Sequence, residues 1–313
     1  MERIDVGTVK INNFVLGAGR LGDINYKKEC FKILDKYLDL CYNTLDVARA
    51  YENGLCEEFL GEYLKDRKRE DIVLISKGGF PLSRNEMHKT RLSKEELQKD
   101  IDASLKALNT DYLDIYFLHR DDCLKSPEEL IENANEFVKQ GKVREIGASN
   151  WSCGRIEQAN NYAIKNNLKP FTVSQINYSY ALTTPALTGD ITHITMNDIE
   201  YMWYKETQFP IIAYSVQAKG FFSKQISGEE LKTSGKLSYL PLKENFRRFE
   251  RINKLSNEKN IPIPALLLSY VLSKDINSAV IGGFSKVEQL NESLVGIDLR
   301  LTDKEIEFLD KGE

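Results

Sequence analysis

Eight short apolar runs recur along the chain, and amphipathic stretches of helix length separate them. Strict alternation of strand and helix predicts a parallel sheet, and eight repeats predict that this sheet closes into a barrel. We therefore expect an α/β fold, with residues 1–313 forming a single (β/α)8 TIM barrel domain. The predicted strands are Phe14–Leu16, Asn43–Asp46, Ile72–Ser76, Tyr112–Leu118, Val143–Ala148, Phe171–Ile176, Ile211–Tyr214 and Ala279–Ile281.

Helices are predicted where apolar residues recur three and four positions apart, because this spacing gives a helix one apolar face that packs against a core. Tyr26–Leu40 and Lys94–Leu108 show this spacing, and Ser93 is a suitable N-cap for the second of them. Before the first barrel strand, Ile4–Ile11 is predicted to form a short hairpin. Near the other terminus, Thr302–Asp310 is the last of the C-terminal helices that we expect.

Two irregular stretches interrupt the alternation, Ser179–Thr195 after the sixth predicted strand and Ala218–Pro241 after the seventh. Loops that follow barrel strands lie at the carboxyl-terminal face, where barrel enzymes carry their sites. These two loops are therefore candidate walls of a substrate pocket.

Composition and charge narrow the class of protein. The 313 residues are 42% hydrophobic and 29% charged, with a formal net charge of -4 and no basic block. This balance argues against a nucleic acid or an anionic membrane as the main partner. The five cysteines lack zinc-ligand spacing, so no metal is expected. With no signal-peptide pattern at Met1, we expect a cytoplasmic protein; the oligomeric state is not readable from the sequence.

Polar side chains stand where three consecutive predicted strands end. Asp46 ends the second strand, Lys77 directly follows the third, and His119 directly follows the fourth. Tyr51 lies five residues beyond Asp46 on the following loop. Because the carboxyl ends of neighbouring barrel strands share one face, we expect these four side chains to form one site.

The chemistry of these four groups suits carbonyl reduction, which needs a hydride on carbon and a proton on oxygen. A phenol is a weak acid at neutral pH, so a lysine beside Tyr51 would favour the tyrosinate and lower its pKa. Asp46 would keep Lys77 charged, and His119 would orient the carbonyl through a hydrogen bond. The alternative is a structural Asp46–Lys77 ion pair with a core histidine nearby.

Residues Gly17–Gly22 read GAGRLG between a strand and a helix, which imitates a dinucleotide-binding fingerprint. However, Asp23–Asn25 resemble a turn and cap before the helix, whereas the fingerprint needs its last glycine inside the helix. A doubly wound sheet would also give Lys77 and His119 no reason to meet Asp46. We interpret the glycines as a tight first loop.

Four segments together resemble the aldo-keto reductase superfamily. They are LDVARAYENG at 45–54, SKGG at 76–79, YLDIYFLHR at 112–120 and GKVREIGASNW at 141–151. The resemblance covers nearly the whole chain. It implies an NAD(P)H-dependent oxidoreductase with Asp46, Tyr51, Lys77 and His119 as the catalytic set and an aldehyde or ketone as substrate.

The same resemblance implies where a nicotinamide cofactor binds. Ser149, Asn150 and Gln175 would hold the carboxamide, and Tyr214 would stack on the ring. Lys286, at a predicted helix start, would face the 2′-phosphate. The full set of predicted cofactor residues is Gly19, Arg20, Asp46, Ser149, Asn150, Gln175, Tyr214, Ser215, Gln217, Lys219, Gly220, Gly283, Ser285, Lys286, Gln289, Glu292 and Ser293.

Some positions depart from the family's pattern. Gln289 stands where many members carry arginine, Ser293 replaces a common asparagine, and Lys286 is the only basic residue of its loop. NADPH is still favoured over NADH, because Lys286 lies at a predicted helix start, and a solvated Lys286 is the alternative. Ser149 and Asn150 have an alternative role as a helix cap.

Two further matters stay open at this level. The chain is also similar to potassium-channel beta subunits, which share the fold, so a nucleotide-binding sensing role is an alternative to catalysis. For the substrate pocket, the predicted wall residues are Phe80, Arg120, Trp151, Tyr178 and Tyr180. Arg120 would attract an anionic substrate group or pair with Asp121 or Asp122.

Overall fold

The computed structural model describes residues 2–20, 23–82, 86–87, 89–223, 239 and 242–312. Within these residues, two antiparallel strands form a hairpin and eight parallel strands form a closed barrel in which each strand pairs with the next and the last pairs with the first. The hairpin strands are β1 (Arg3–Val6) and β2 (Val9–Asn12). The barrel strands are β3 (Phe14–Gly17), β4 (Thr44–Asp46), β5 (Val73–Gly78), β6 (Leu113–Leu118), β7 (Val143–Ser149), β8 (Val173–Gln175), β9 (Ile211–Ala213) and β10 (Ser278–Gly282).

Helices connect the strands and cover the outside of the barrel. In the described part of the chain they are α1 (Lys27–Asp39), α2 (Leu55–Leu64), α3 (Lys94–Leu108), α4 (Pro127–Lys139), α5 (Cys153–Lys165), α6 (Pro185–Thr188), α7 (Asp198–Thr207), α8 (Lys243–Lys259), α9 (Ile263–Leu272), α10 (Val287–Leu294) and α11 (Asp303–Lys311).

The barrel prediction is confirmed, because each of the eight predicted strands corresponds to one barrel strand. The local signals also hold. The Ser93 hydroxyl accepts a hydrogen bond from the backbone N–H of Glu96 and caps α3. Asp23 caps a short 3-10 turn ahead of α1, as expected for a loop that does not continue directly into a helix. A closed barrel excludes the doubly wound dinucleotide fold that the early glycines imitate.

The hairpin closes one end of the barrel. Val6 and Ile11 are completely buried, and they belong to one apolar cluster with barrel-interior residues such as Val15, Ile115 and Phe117. Since successive strand residues alternate between inside and outside, this cluster fills the interior up to the hairpin. The cleft described below opens at the opposite, carboxyl-terminal end of the barrel.

The structure contains no helix, among the residues it describes, that is both long and apolar enough to cross a membrane.

Candidate active site

The predicted catalytic side chains meet at the carboxyl-terminal end of the barrel. β4 ends at Asp46, β5 carries Lys77, and His119 follows β6. A cleft of about 530 Å³ opens there. Its lining includes Asp46, Tyr51 and His119, and Lys77 lies beneath it, completely buried.

Lys77 is the centre of the hydrogen bonding under the cleft. Its ammonium donates to Asp46 Oδ1 over 2.6 Å and to the Val47 carbonyl over 2.9 Å. The same nitrogen lies 5.2 Å from the centre of the Tyr51 ring. Burial alone would lower the pKa of Lys77, but the charges and hydrogen bonds of Asp46 and Tyr51 outweigh it and raise that pKa. Lys77 is therefore a fixed cation beside the phenol.

The pKa of Tyr51 differs in direction from the sequence expectation. Burial is the largest influence and raises the pKa, the charge and hydrogen bond of Lys77 lower it, and Asp46 raises it again. The net direction is upward, so Tyr51 carries its proton at neutral pH. Lys77 acts as expected, but burial outweighs it. A protonated phenol is the form that a proton donor needs.

The surroundings of His119 favour its neutral form. Burial, followed by the positive charges of Arg120 and Lys77, lowers the pKa of His119 well below its usual value. Its ring lies 5.8 Å from the Tyr51 ring, centre to centre, and 4.8 Å from the Phe80 ring. Among the residues that the structure describes, none offers a hydrogen-bond partner to the buried Nδ1, which leaves Nε2 as the ring nitrogen that a ligand in the cleft can reach.

Gln175 is hydrogen-bonded to one of the predicted catalytic residues and also lines the cleft. Its side-chain amide donates to Asp46 Oδ2 over 2.9 Å. Asp46 therefore accepts from Lys77 on one oxygen and from Gln175 on the other. The family resemblance of the sequence assigned Gln175 only to cofactor binding. With its amide nitrogen bonded to Asp46, the side-chain carbonyl oxygen of Gln175 is the atom that remains for the cofactor.

A second polar group follows β7 and β9. The Tyr214 hydroxyl donates to Asn150 Oδ1 over 2.7 Å, and the Asn150 amide donates to the Ser149 hydroxyl over 3.0 Å. All three residues line the cleft. Ser152, rather than Ser149 or Asn150, is the N-cap of α5, so the helix-cap alternative is wrong.

The predicted cofactor residues divide into two groups by position. Those that line the cleft are Gly19, Arg20, Asp46, Ser149, Asn150, Gln175, Tyr214, Ser215, Lys219 and Gly283. Those that do not line it are Gln217, Gly220, Ser285, Lys286, Gln289, Glu292 and Ser293. Most of the second group lies on α10 or directly before it, beyond Gly283 at the edge of the cleft. Gln217 connects this helix to the β9 loop by donating to Ser293 Oγ over 2.7 Å.

The N-terminus of α10 already holds acceptors from this chain. Lys286 is the N-cap residue. Oε1 of Gln289 accepts from both the backbone N–H and the hydroxyl of Ser285. Oε1 of Glu29, on the first turn of α1, accepts from the Val287 N–H over 3.3 Å. A carboxylate seated on this N–H indicates that the helix end suits an anion.

Arg120 has a partner that the sequence did not indicate. Its guanidinium donates to Asp190 and to Thr192, at 3.0 Å each. The pairings that we considered, with Asp121 or Asp122, are wrong: Asp121 pairs with Arg155 instead. Arg120 therefore fastens the loop after β8 against the cleft.

His193, on the same loop, is held through both ring nitrogens. Nε2 lies 3.2 Å from Asp190 Oδ2, and Nδ1 lies 2.9 Å from Thr188 Oγ1. Burial, reinforced by the charge of Arg120, lowers the pKa of His193 to about 4. His193 is therefore neutral at pH 7 and serves to hold the loop.

Two of the five predicted wall residues, Phe80 and Arg120, line the cleft. The prediction is wrong for Trp151 and Tyr180, which are completely buried and donate to backbone carbonyls. It is also wrong for Tyr178, which lines a separate cavity of about 400 Å³. Aromatic character in a loop did not indicate which side of the loop faces the site.

Several lining residues were not individually predicted. Thr188, Gly189, Asp190 and His193 lie in the irregular stretch Ser179–Thr195, whose role as a wall is thus supported by position. For the stretch Ala218–Pro241, Lys219 and Tyr239 line the cleft, and residues 224–238, 240 and 241 lie outside the described part of the chain. Met87 and Asn177 gave no signal in the sequence.

Comparisons with known proteins agree with this geometry. A model of the aldo/keto reductase family matches residues 13–312. The chain is 29% identical to an aryl-alcohol dehydrogenase of Pestalotiopsis microspora, over 94% of this chain and 74% of that protein. It is also 29% identical to norsolorinic acid reductase A of Aspergillus parasiticus, over 98% of this chain and 76% of that protein.

A solved structure supports the fold independently. The crystal structure of a thermostable aldo-keto reductase, Tm1743, in complex with the inhibitor epalrestat matches with a TM-score of 0.76 at 22% identity, covering 99% of both chains. With the family match spanning the barrel from its first strand to its last helix, the chain belongs to the aldo/keto reductase family and is an NAD(P)H-dependent oxidoreductase.

Proposed function

We propose that this enzyme reduces the carbonyl group of an aldehyde or ketone with NADPH, and that Tyr51 delivers the proton. The observation that carries the proposal is the buried Lys77 ammonium, bonded to Asp46 over 2.6 Å and placed against the Tyr51 ring at the floor of the cleft. Removing a lysine and its paired carboxylate from water is costly, so a buried Lys77–Asp46 pair beside a phenol supports a role in the chemistry.

Each residue of the set has a separate part in the reaction. A reduced nicotinamide, when bound, supplies the hydride. The Tyr51 hydroxyl gives its proton to the carbonyl oxygen as negative charge develops there, and Lys77 stabilises the phenolate that remains. Asp46 keeps Lys77 charged and oriented. His119, neutral and open at Nε2, donates a hydrogen bond that orients the carbonyl.

The residues that would hold the cofactor fit such a group. Ser149, Asn150 and the Gln175 carbonyl offer the polar atoms that a carboxamide needs, and the half-buried Tyr214 ring offers an aromatic face. Lys286 and the N-terminus of α10 suit a phosphate, which favours NADPH over NADH.

The substrates that we propose are aromatic aldehydes or ketones. Apart from Tyr214, which is assigned to the nicotinamide, Phe80 and Tyr239 contribute aromatic surface to the cleft. The related aryl-alcohol dehydrogenase, by its name, acts on an aromatic alcohol, and the related norsolorinic acid reductase is named as a reductase. The charge of Arg120 is already balanced by Asp190, so the cleft does not offer an unpaired cation at that position.

The test is a titration with NADPH and with NADH, followed by a panel of carbonyl compounds monitored by absorbance of the reduced cofactor. Replacing Tyr51→Phe should reduce turnover by about a hundred-fold or more while sparing cofactor binding. Tyr162→Phe, the same change at a half-buried site on α5 that does not line the cleft, is the control. Unchanged turnover in Tyr51→Phe would remove the proton donor from the proposal. Cofactor binding without oxidation by any carbonyl would favour a sensing role.

A further inference from the structure

Glu29, on the first turn of α1, places its carboxylate at the N-terminus of α10, a helix near the other end of the chain. Glu29 Oε1 accepts from the Val287 N–H over 3.3 Å, and its other oxygen accepts from Lys32 over 3.1 Å. The contact joins residues 258 positions apart. This contact does not involve any of the predicted catalytic residues, and the sequence did not predict it.

Glu29 is negatively charged at this position. Its hydrogen bond from Lys32, followed by the bond from the Val287 backbone, lowers the pKa of the Glu29 carboxyl, and the charges of Lys32 and Lys286 act in the same direction. The side chain is about 30% exposed, so the carboxylate is partly open to solvent. A full negative charge therefore sits beside the same lysine that would meet a phosphate.

Two backbone donors at this helix end, the N–H groups of Ser285 and Val287, are already engaged. Gln289 Oε1 accepts from Ser285, and Glu29 accepts from Val287. An incoming phosphate that uses these N–H groups has to displace one or both acceptors, and it also meets the charge of Glu29 at close range. NADH lacks the 2′-phosphate, so its binding requires neither the displacement of these acceptors nor the approach of a second negative charge to Glu29.

We infer that Glu29 is a cofactor-specificity residue whose carboxylate opposes the 2′-phosphate at the N-terminus of α10 and so narrows the preference for NADPH over NADH. The inference rests on the proposed function, because it takes α10 as the phosphate end of the cofactor site. Lys286 attracts the phosphate and Glu29 repels it; the balance between the two sets the preference.

Calorimetric titration of the full chain with NADPH and with NADH tests the inference by binding rather than by turnover. Glu29→Gln keeps an acceptor for Val287 but removes the charge, so it should tighten NADPH binding by about ten-fold and leave NADH binding unchanged. Because the interaction is electrostatic, the gain should shrink at high salt. Glu258→Gln, an equal change of net charge at an exposed site on α8, should alter neither affinity.

The outcomes separate this inference from the proposed function. If the unaltered protein binds neither nucleotide, the proposed function fails. If it binds both, and Glu29→Gln changes the two affinities equally or not at all, the role of Glu29 is refuted while the proposed function stands. Lys286→Met should act in the opposite direction to Glu29→Gln and weaken NADPH selectively. A thermal melt of each variant checks that the fold is intact.

Discussion

Gln175 donates to Oδ2 of Asp46 over 2.9 Å, from the strand on the far side of the barrel mouth. The carboxylate that holds Lys77 is thus itself held from across the cleft. An Asp46 side chain with both oxygens engaged has one orientation, which fixes the ammonium and, through it, the phenol of Tyr51.

Removing the Gln175 bond should therefore reduce activity. We expect Gln175→Leu to lower kcat about ten-fold, because a hydrogen bond to a charged group contributes about 1.5–3 kcal/mol. Steady-state kinetics at saturating cofactor measures this. Tyr204→Phe, which removes a hydrogen bond to the neighbouring Ser174, is the control and should leave kcat unchanged. Equal turnover in the two variants would show that Gln175 does not position Asp46.

The Asp46–Lys77 pair should couple stability to activity. Asp46→Asn leaves a completely buried ammonium without its counter-charge, so the free energy of unfolding should fall by about 3–5 kcal/mol and activity should be lost. The double variant Asp46→Asn/Lys77→Met removes both charges and should regain much of the stability while staying inactive. Urea denaturation provides the measurement. A double variant as unstable as the single one would contradict this account.

Stability should depend on His193 under acidic conditions. Its pKa is lowered to about 4 in the fold, against about 6.5 when unfolded, so the unfolded chain binds more protons between these values. The stability from neutral His193 is complete above pH 6.5 and is lost as the pH falls toward 4. His119, whose pKa is also lowered, adds in the same direction.

Melting temperatures between pH 7 and pH 4 test this dependence. His193→Gln keeps hydrogen-bonding capacity without titrating in this range, so its melting temperature should fall less steeply than that of the unaltered protein. Parallel curves for the two proteins would mean that other groups cause the acid destabilisation.

The hairpin should contribute to stability without affecting chemistry. Ile11→Ala leaves a cavity at a completely buried position of the interior cluster and should cost about 2–5 kcal/mol of unfolding free energy. Because the hairpin lies at the end opposite the cleft, kcat should stay unchanged well below the melting temperature. Chemical denaturation and kinetics on the same preparation check both parts; a large loss of kcat in a folded variant would refute the separation.

The sequence predicted the fold well because strand ends and helix faces are local patterns. Asp46, Lys77 and His119 follow apolar runs, and a barrel brings such ends together. The finer contacts were not predictable, since they join distant residues. Arg120 has Asp121 and Asp122 beside it in sequence, yet pairs with Asp190 on another loop.

Burial of single loop residues was equally hard to predict. Trp151 and Tyr180 follow strands whose ends line the cleft, but each points away from it and is buried completely. Within a strand, side chains alternate between the two faces, so the sequence indicates which way each one points. This alternation stops where the strand ends, and the orientation of a loop side chain cannot be inferred from it. The net pKa of Tyr51 was missed for a related reason: the effect of Lys77 is visible in the sequence, whereas the extent of burial is not.

The hairpin of β1 and β2 has a kinetic consequence. With the amino-terminal end of the barrel filled by Val6, Ile11 and their neighbours, both reactants approach the reaction centre from the carboxyl-terminal side. When one reactant binds beneath the other in the cleft, the deeper one has to bind first, and its product has to leave last. Turnover should follow a compulsory sequence of loading and release, visible as the inhibition pattern of each product against each reactant.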